Sequence, residues 1–241
     1  MTGKGVAESV VEAGLVGAMG AALGWWAVGL LTDSVAQVLG AIVGALNGVI
    51  SGATGLYAWH RAKGWLFFVL DSTWGLIGNA LALLLHAVNL VSGNPGYVSE
   101  MCVRTNRHVY EGGVGLRTGF ALALGNVISN AGGAVGLRGE SEKVIKRRKF
   151  VIAHEGVHVM QNRIFGPLYQ LIYVGWMMLF GVIGFFIWLV RDRQELWQIV
   201  ETMAYYNNPF EFWAYKNDRY WPPAGAHKRY AWGSASKTET L

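Results

Sequence analysis

The sequence predicts a mainly α, polytopic helical membrane protein with about four transmembrane helices, and three observations carry that expectation. Of the 241 residues, 53% are hydrophobic and only 15% are charged, with a mean hydropathy of +0.30; soluble domains carry about 25% charged residues. The deficit is concentrated in apolar runs of more than twenty residues. At about 1.5 Å per residue such a run crosses about 30 Å of hydrocarbon. Basic residues collect at the ends of these runs, in His60-Arg61-Ala62-Lys63, Lys146-Arg147-Arg148-Lys149 and Arg191-Asp192-Arg193, where membrane proteins place them. The net charge of +5 is therefore not a nucleic-acid footprint, since no aromatic-interleaved basic patch accompanies it. A single cysteine, Cys102, excludes an internal disulfide.

The first span is expected over Val10–Leu31, retained because no clear cleavage site follows the acidic N-terminal stretch. The polar turn Thr32-Asp33-Ser34 joins it to a second span, Ala36–Trp59. This span carries Gly40, Gly44, Gly48 and Gly52 at strict four-residue spacing, a glycine-zipper face that lets another backbone approach closely. Gly14, Gly17, Gly20 and Gly24 offer similar spacing in the first span, so a packed hairpin is expected. Self-association or contact with other membrane subunits through the same glycines is the alternative. Trp65–Val91 is expected as a third span and Leu168–Val190 as a fourth, the latter introduced by the helix-breaking Gly166-Pro167. The short loop His60–Lys63 votes for a cytoplasmic position. Three regions result: glycine-rich spans over 1–92, an extramembrane or re-entrant segment with strand-like alternation over 93–143, and a chemistry-bearing region over 144–241. The last ends in an interfacial helix and a folded tail, since five of the eleven tryptophans lie at or after Trp188.

The chemistry is carried by His154-Glu155-Gly156-Val157-His158. On a helix, residues i and i+4 share a face with Cβ atoms about 5–6 Å apart, so two imidazoles can bind one tetrahedral Zn²⁺. A glutamate beside the first histidine is placed to take a proton from attacking water and return it to a leaving amine. The composition of this chain gives roughly 0.007 chance matches to that pattern. Zinc needs a third protein ligand. Glu211, in Asn208-Pro209-Phe210-Glu211-Phe212-Trp213, is the first choice, because Pro209 marks a helix start and the aromatics would shield a buried carboxylate. Glu201, Glu195, His108, Glu111 and His227 are the alternatives. Tyr205, Tyr206 and Tyr215 are candidate oxyanion donors. Gln161, near the motif, is read as an exposed glutamine, with the orienting of a ligand as its alternative, and Asp71 and His86 as helix-packing polar residues that lie too far apart to share a metal.

A histidine pair of this form followed downstream by a glutamate on a second helix resembles the gluzincin metallopeptidases. More closely, HEGVHVMQNRIFGPLYQLIYVGW with YYNNPFEFWAY is similar to uncharacterised bacterial membrane proteins. Those carry His-Glu-x-x-His-x-x-Gln, then Gly-Pro-Leu-Tyr, then Glu-x-x-Ala. The resemblance covers roughly residues 105 to 220. It implies His154, His158 and Glu211 as zinc ligands, Glu155 as the base, and a zincin-like helix pair near the surface of a bacterial inner membrane. The glycine that many zincins carry before the second histidine is Val157 here. No Leu-Asp-Gly or Asn-Pro-x-x-x-x-Asp-Gly element is present, which counts against a site-two-protease-like enzyme. Two functions follow as expectations: a membrane-embedded zinc metallopeptidase, or a non-catalytic membrane subunit whose metal site is structural or vestigial. One topological conflict accompanies the first. If Leu168–Val190 crosses the bilayer, Glu211 reaches His154 and His158 only if the chain returns.

Overall fold

The computed structural model describes residues 5–32, 35–92, 96–115, 120–132, 142–191 and 195–233. Asp33-Ser34 of the predicted turn, Arg117 and the Asp192-Arg193 pair lie outside them. The chain forms two compact units, Met1–Pro167 and Leu168–Leu241. It is mainly helical, and three of its helices are long and apolar enough to cross a membrane, or four if one bent pair is a single span.

The first unit opens with α1 (Val6–Gly29) and α2 (Val35–Ala53). Gly17, Gly20 and Gly24 of α1 and Gly40, Gly44, Gly48 and Gly52 of α2 are buried. A Cβ on Gly44 would fall on the Gly20 carbonyl, one on Gly24 on the Gly40 carbonyl, and one on Gly48 on the Val16 carbonyl. Backbone against backbone at this range admits no side chain, which is why these positions are glycine. All four α2 glycines therefore face α1, whereas Gly14 faces open space.

The third apolar run does not form the single span expected over Trp65–Val91. It breaks into α3 (Ala62–Ser72) and α4 (Leu76–Val91), bent by 86°. Thr73 leaves helical geometry at φ −130, ψ −89, and a distant part of the chain holds both sides of the break. The Arg163 guanidinium donates to Asp71 from Nε to Oδ1 at 2.8 Å and from Nη2 to Oδ2 at 2.7 Å. Trp74 Nε1 donates to the Ile164 carbonyl at 3.0 Å, and Gly78 leaves room for the Asn162 amide. Hydropathy alone cannot see such partners.

Beyond the short α5 (Ser99–Cys102) lies a small sheet of β1 (His108–Val109), β2 (Leu122–Leu124) and β3 (Val127–Ser129) in the order β1-β3-β2. β1 pairs with β3 in parallel, and β2 pairs with β3 antiparallel. Gly125-Asn126 turns β2 into β3, with Gly125 at φ +53, as the first central position of a II′ turn requires. The sheet is pinned to the helices by asparagines: Asn126 N–H donates to Asn79 Oδ1 and Asn126 Nδ2 to Asn47 Oδ1, both at 3.0 Å. The apolar core gathers Leu56, Tyr57, Phe68, Val109, Ile128 and Val159. The unit closes with α6 (Glu142–Phe165), which packs on β2, β3 and α3. α6 ends at Gly166, at φ +55, followed by a proline at the first position of the next helix, the stop and start these two residues favour.

The second unit holds α7 (Pro167–Arg191), α8 (Leu196–Glu201), a π-helical turn (Thr202–Tyr206) and α9 (Pro209–Asn217). After α7 the chain returns along it. Gly184 admits Val200, Trp176 Nε1 donates to the Met203 carbonyl at 3.3 Å, and Asn208 Nδ2 donates to the Tyr173 carbonyl at 3.2 Å. Later residues thus meet progressively earlier residues of α7, as in an antiparallel pair. The aromatic tail folds over this return, with Trp232 against Trp176 and Phe212, and Trp221 against Phe212 and Tyr215.

Candidate metal centre

His154 and His158 lie one turn apart on α6, 7% and 6% exposed, with ring centroids 5.2 Å apart. Their orientation is not left to the helix alone. His158 Nδ1 lies 2.8 Å from Gln161 Oε1. An amide oxygen only accepts, so Nδ1 carries the proton and Nε2 carries the ring lone pair, the tautomer that suits a metal ligand. Gln161 is fully buried, which corrects its expected place on the surface. Spaced four and then three residues apart, His154, His158 and Gln161 form one stripe of α6. Glu155, the next residue round the helix, is half-buried.

Two further contacts fix the helix that carries the motif. Arg163, 4% exposed in its side chain, pairs with Asp71, 1% exposed. Tyr57 Oη donates to Asp71 Oδ2 at 2.8 Å, Arg163 Nη2 donates to the Asn106 carbonyl at 2.5 Å, and the guanidinium carbon stands 4.3 Å from the Phe67 ring centroid. Burial works against the Arg163 charge, but the Asp71 carboxylate more than restores it, so its pKa rises above the usual arginine value. Asp71 is therefore the anchor of the motif helix, a more specific role than helix packing. The second contact is at Gly156 inside the motif, where the end of the Arg107 side chain takes the place a Cβ would fill.

In the second unit, the Asn208 side chain caps α9 by accepting from Phe210 N–H at 3.1 Å, with Pro209 at the first helical position. Glu211 follows in the first turn, where the helix dipole favours a carboxylate, and is 2% exposed. Tyr173 Oη donates to its Oε1 at 2.7 Å. The return along α7 has brought Glu211 back to the Tyr169–Tyr173 end, where Tyr169 and Tyr173 both meet Phe210. Within the second unit the chain thus folds back along α7.

Four of the five alternative ligands are engaged elsewhere. His108 sits in β1 with Tyr97 Oη 2.9 Å from Nδ1 and Ser51 Oγ 3.5 Å from Nε2. Burial first, then His86 and Arg163, holds its imidazole well below the ordinary histidine value. Glu111 pairs with Arg148 at 2.6 Å, and His227 with Glu195 at 3.3 Å. Of the proposed oxyanion donors, Tyr206 is buried beside Ala226 and Ala231, with Tyr205 and Tyr215 packed against that cluster. Tyr173 escaped prediction because nothing in its sequence neighbourhood marks it, whereas Gln161 was marked by its spacing from His158.

Two buried imidazoles and a buried carboxylate, His154, His158 and Glu211, are a group that could hold a metal ion. Comparison with protein-family models, characterised proteins and solved structures returns no match.

Proposed function

We propose that this chain is a zinc-dependent metallopeptidase of the bacterial cell membrane, hydrolysing peptide bonds at or near the bilayer. One observation carries the proposal: a ligand atom from each of His154, His158 and Glu211 lies within 4.8 Å of the other two. Zinc bonds nitrogen and carboxylate oxygen at about 2.0–2.2 Å and takes three such ligands in catalytic sites, leaving a fourth position open. A bound zinc would supply Lewis acidity to a peptide carbonyl and to water. The protein's own groups do the rest. Glu155 accepts the proton of the attacking water and passes it to the leaving amine. Gln161 fixes the tautomer of His158, and Tyr173 holds the Glu211 carboxylate. The Asp71–Arg163 pair keeps the motif helix in place.

The test is cleavage of membrane-associated fluorogenic peptides by the purified protein in detergent. Glu155→Gln is expected to keep its zinc and lose activity by about 10²–10⁴-fold. Equal activity of Glu155→Gln and wild type would remove Glu155 from the chemistry. A wild type that carries zinc, needs it to fold and cleaves nothing would make the site structural.

A further inference from the structure

The first unit contains a cavity of about 210 Å³ whose polar wall is almost entirely cationic, formed by Arg61, Lys63, Arg104, Arg107 and Arg163, with Phe67 on its apolar side. No carboxylate lines it. Arg163 is balanced by Asp71 and Arg104 by Glu12, at 3.3 Å. Arg61, Lys63 and Arg107 have no such partner among the described residues. Arg107 is half-buried, its Nε is out of reach of water and makes no hydrogen bond, and its other end rests on Gly156. Arg61 and Lys63 reach solvent, so the cost falls on Arg107, whose partly buried charge is disfavoured unless an anion shares the space.

The neighbouring groove indicates which anion. An apolar groove of about 530 Å³ runs along α1, lined by Val11, Leu15, Met19, Trp59 and Trp65. Its lining is joined to that of the cationic cavity by a hydrogen bond. Glu12, which lines the groove, accepts from Trp59 Nε1 at 2.7 Å and from Arg104 Nη1, and Arg104, which lines the cavity, also donates to the Tyr57 carbonyl. Glu8 lies on the groove as well, one turn before Glu12. The two spaces therefore meet at the segment joining α2 to α3. There Trp59 and Trp65 lie tilted against each other with centroids 4.7 Å apart, and the basic residues follow at once. Indole rings and basic side chains together mark the headgroup level of a bilayer. A site with a phosphate-sized cationic end and a chain-shaped apolar end suits an amphiphile.

We infer that the Arg61–Lys63–Arg107 cavity and the adjoining α1 groove form a binding site for one anionic phospholipid, its phosphate in the cavity and an acyl chain along Val11, Leu15 and Met19. Because Arg107 rests on Gly156 of the helix that carries His154 and His158, the bound headgroup steadies that helix, and no proposed metal ligand lines the site.

The experiment is native mass spectrometry of the purified protein in neutral detergent, titrated with phosphatidylglycerol or phosphatidylcholine of identical acyl chains. The expected result is retention of one phosphatidylglycerol with at least about a 10-fold preference, corresponding to about 1.4 kcal/mol. The triple variant Arg61→Gln/Lys63→Gln/Arg107→Gln is expected to abolish the preference while keeping the wild-type far-UV circular dichroism spectrum. A groove-filling Leu15→Trp variant is expected to weaken phosphatidylglycerol and leave soluble glycerophosphate unaffected. Should the triple variant fold poorly, Lys63→Gln alone, on an exposed residue, is expected to reduce the preference about threefold. Equal retention of the two lipids, or an undiminished preference in the variants, would overturn the inference. So would binding of inorganic phosphate that Leu15→Trp and added lipid leave unchanged, which would make the cavity a site for a free anion.

Discussion

Replacing Arg163 by methionine tests whether the buried ion pair anchors the motif helix. The substitution keeps the aliphatic stem and removes the guanidinium, leaving Asp71, 1% exposed in its side chain, with Tyr57 Oη as its remaining donor to Oδ2. Removing one partner of a buried pair costs about 3–5 kcal/mol, because the orphaned charge stays out of water. Against a total stability of about 5–15 kcal/mol, that is a large share. For a domain of this size each kcal/mol lowers the melting temperature by about 2–4 °C, so a drop of ~6–20 °C is expected. The assay is thermal unfolding of the detergent-solubilised protein followed by far-UV circular dichroism. The double variant Asp71→Leu/Arg163→Met removes both charges and is expected to lose less than the sum of the two single variants. An Arg163→Met protein within about 0.5 kcal/mol of wild type, or strictly additive substitutions, would refute the anchor.

Three other outcomes follow from the same geometry. Gln161→Leu is expected to weaken zinc binding by about 10–100-fold, since it removes the brace on His158; competition with a chelator reads this directly. Gly44→Val, which places side-chain atoms on the Gly20 carbonyl, is expected to cost at least about 1–3 kcal/mol as α1 and α2 are forced apart, measurable as a lowered melting temperature. His108 gives a pH dependence: its folded pKa is depressed and its unfolded value is about 6.5. Its contribution to stability is therefore complete above pH 6.5 and is lost as the pH falls, by about 1.36 kcal/mol per pH unit. Comparing melting curves of wild type and His108→Gln between pH 7 and 5 isolates that slope.

Much of the architecture is legible in the amino-acid sequence. Long apolar runs declare α1, α2 and α7, and Gly166-Pro167 declares the end of α6. The i, i+4 spacing of His154 and His158 places them on one face, and Asn208-Pro209 announces the helix that carries Glu211. What stays hidden depends on partners distant in the chain. The bend between α3 and α4 is held by Arg163 and Ile164, about ninety residues away, while a hydropathy window averages across Asp71 and Thr73 and reports one span. Strands of two or three residues are too short to leave a periodic signal. The burial of Gln161 and the contact of Tyr173 with Glu211 exist only once the chain has folded. The return of the second unit along α7 is likewise written in packing, in Gly184 against Val200 and Trp176 beneath Met203, rather than in any local motif.

The most direct test of the proposed zinc centre is the metal content of the purified chain, measured by inductively coupled plasma mass spectrometry for wild type and Glu211→Gln side by side. The predicted result is about one zinc per wild-type chain and a substantial loss in a Glu211→Gln variant that melts like wild type. A wild type without metal, or a Glu211→Gln variant with full occupancy, would contradict a centre built from His154, His158 and Glu211.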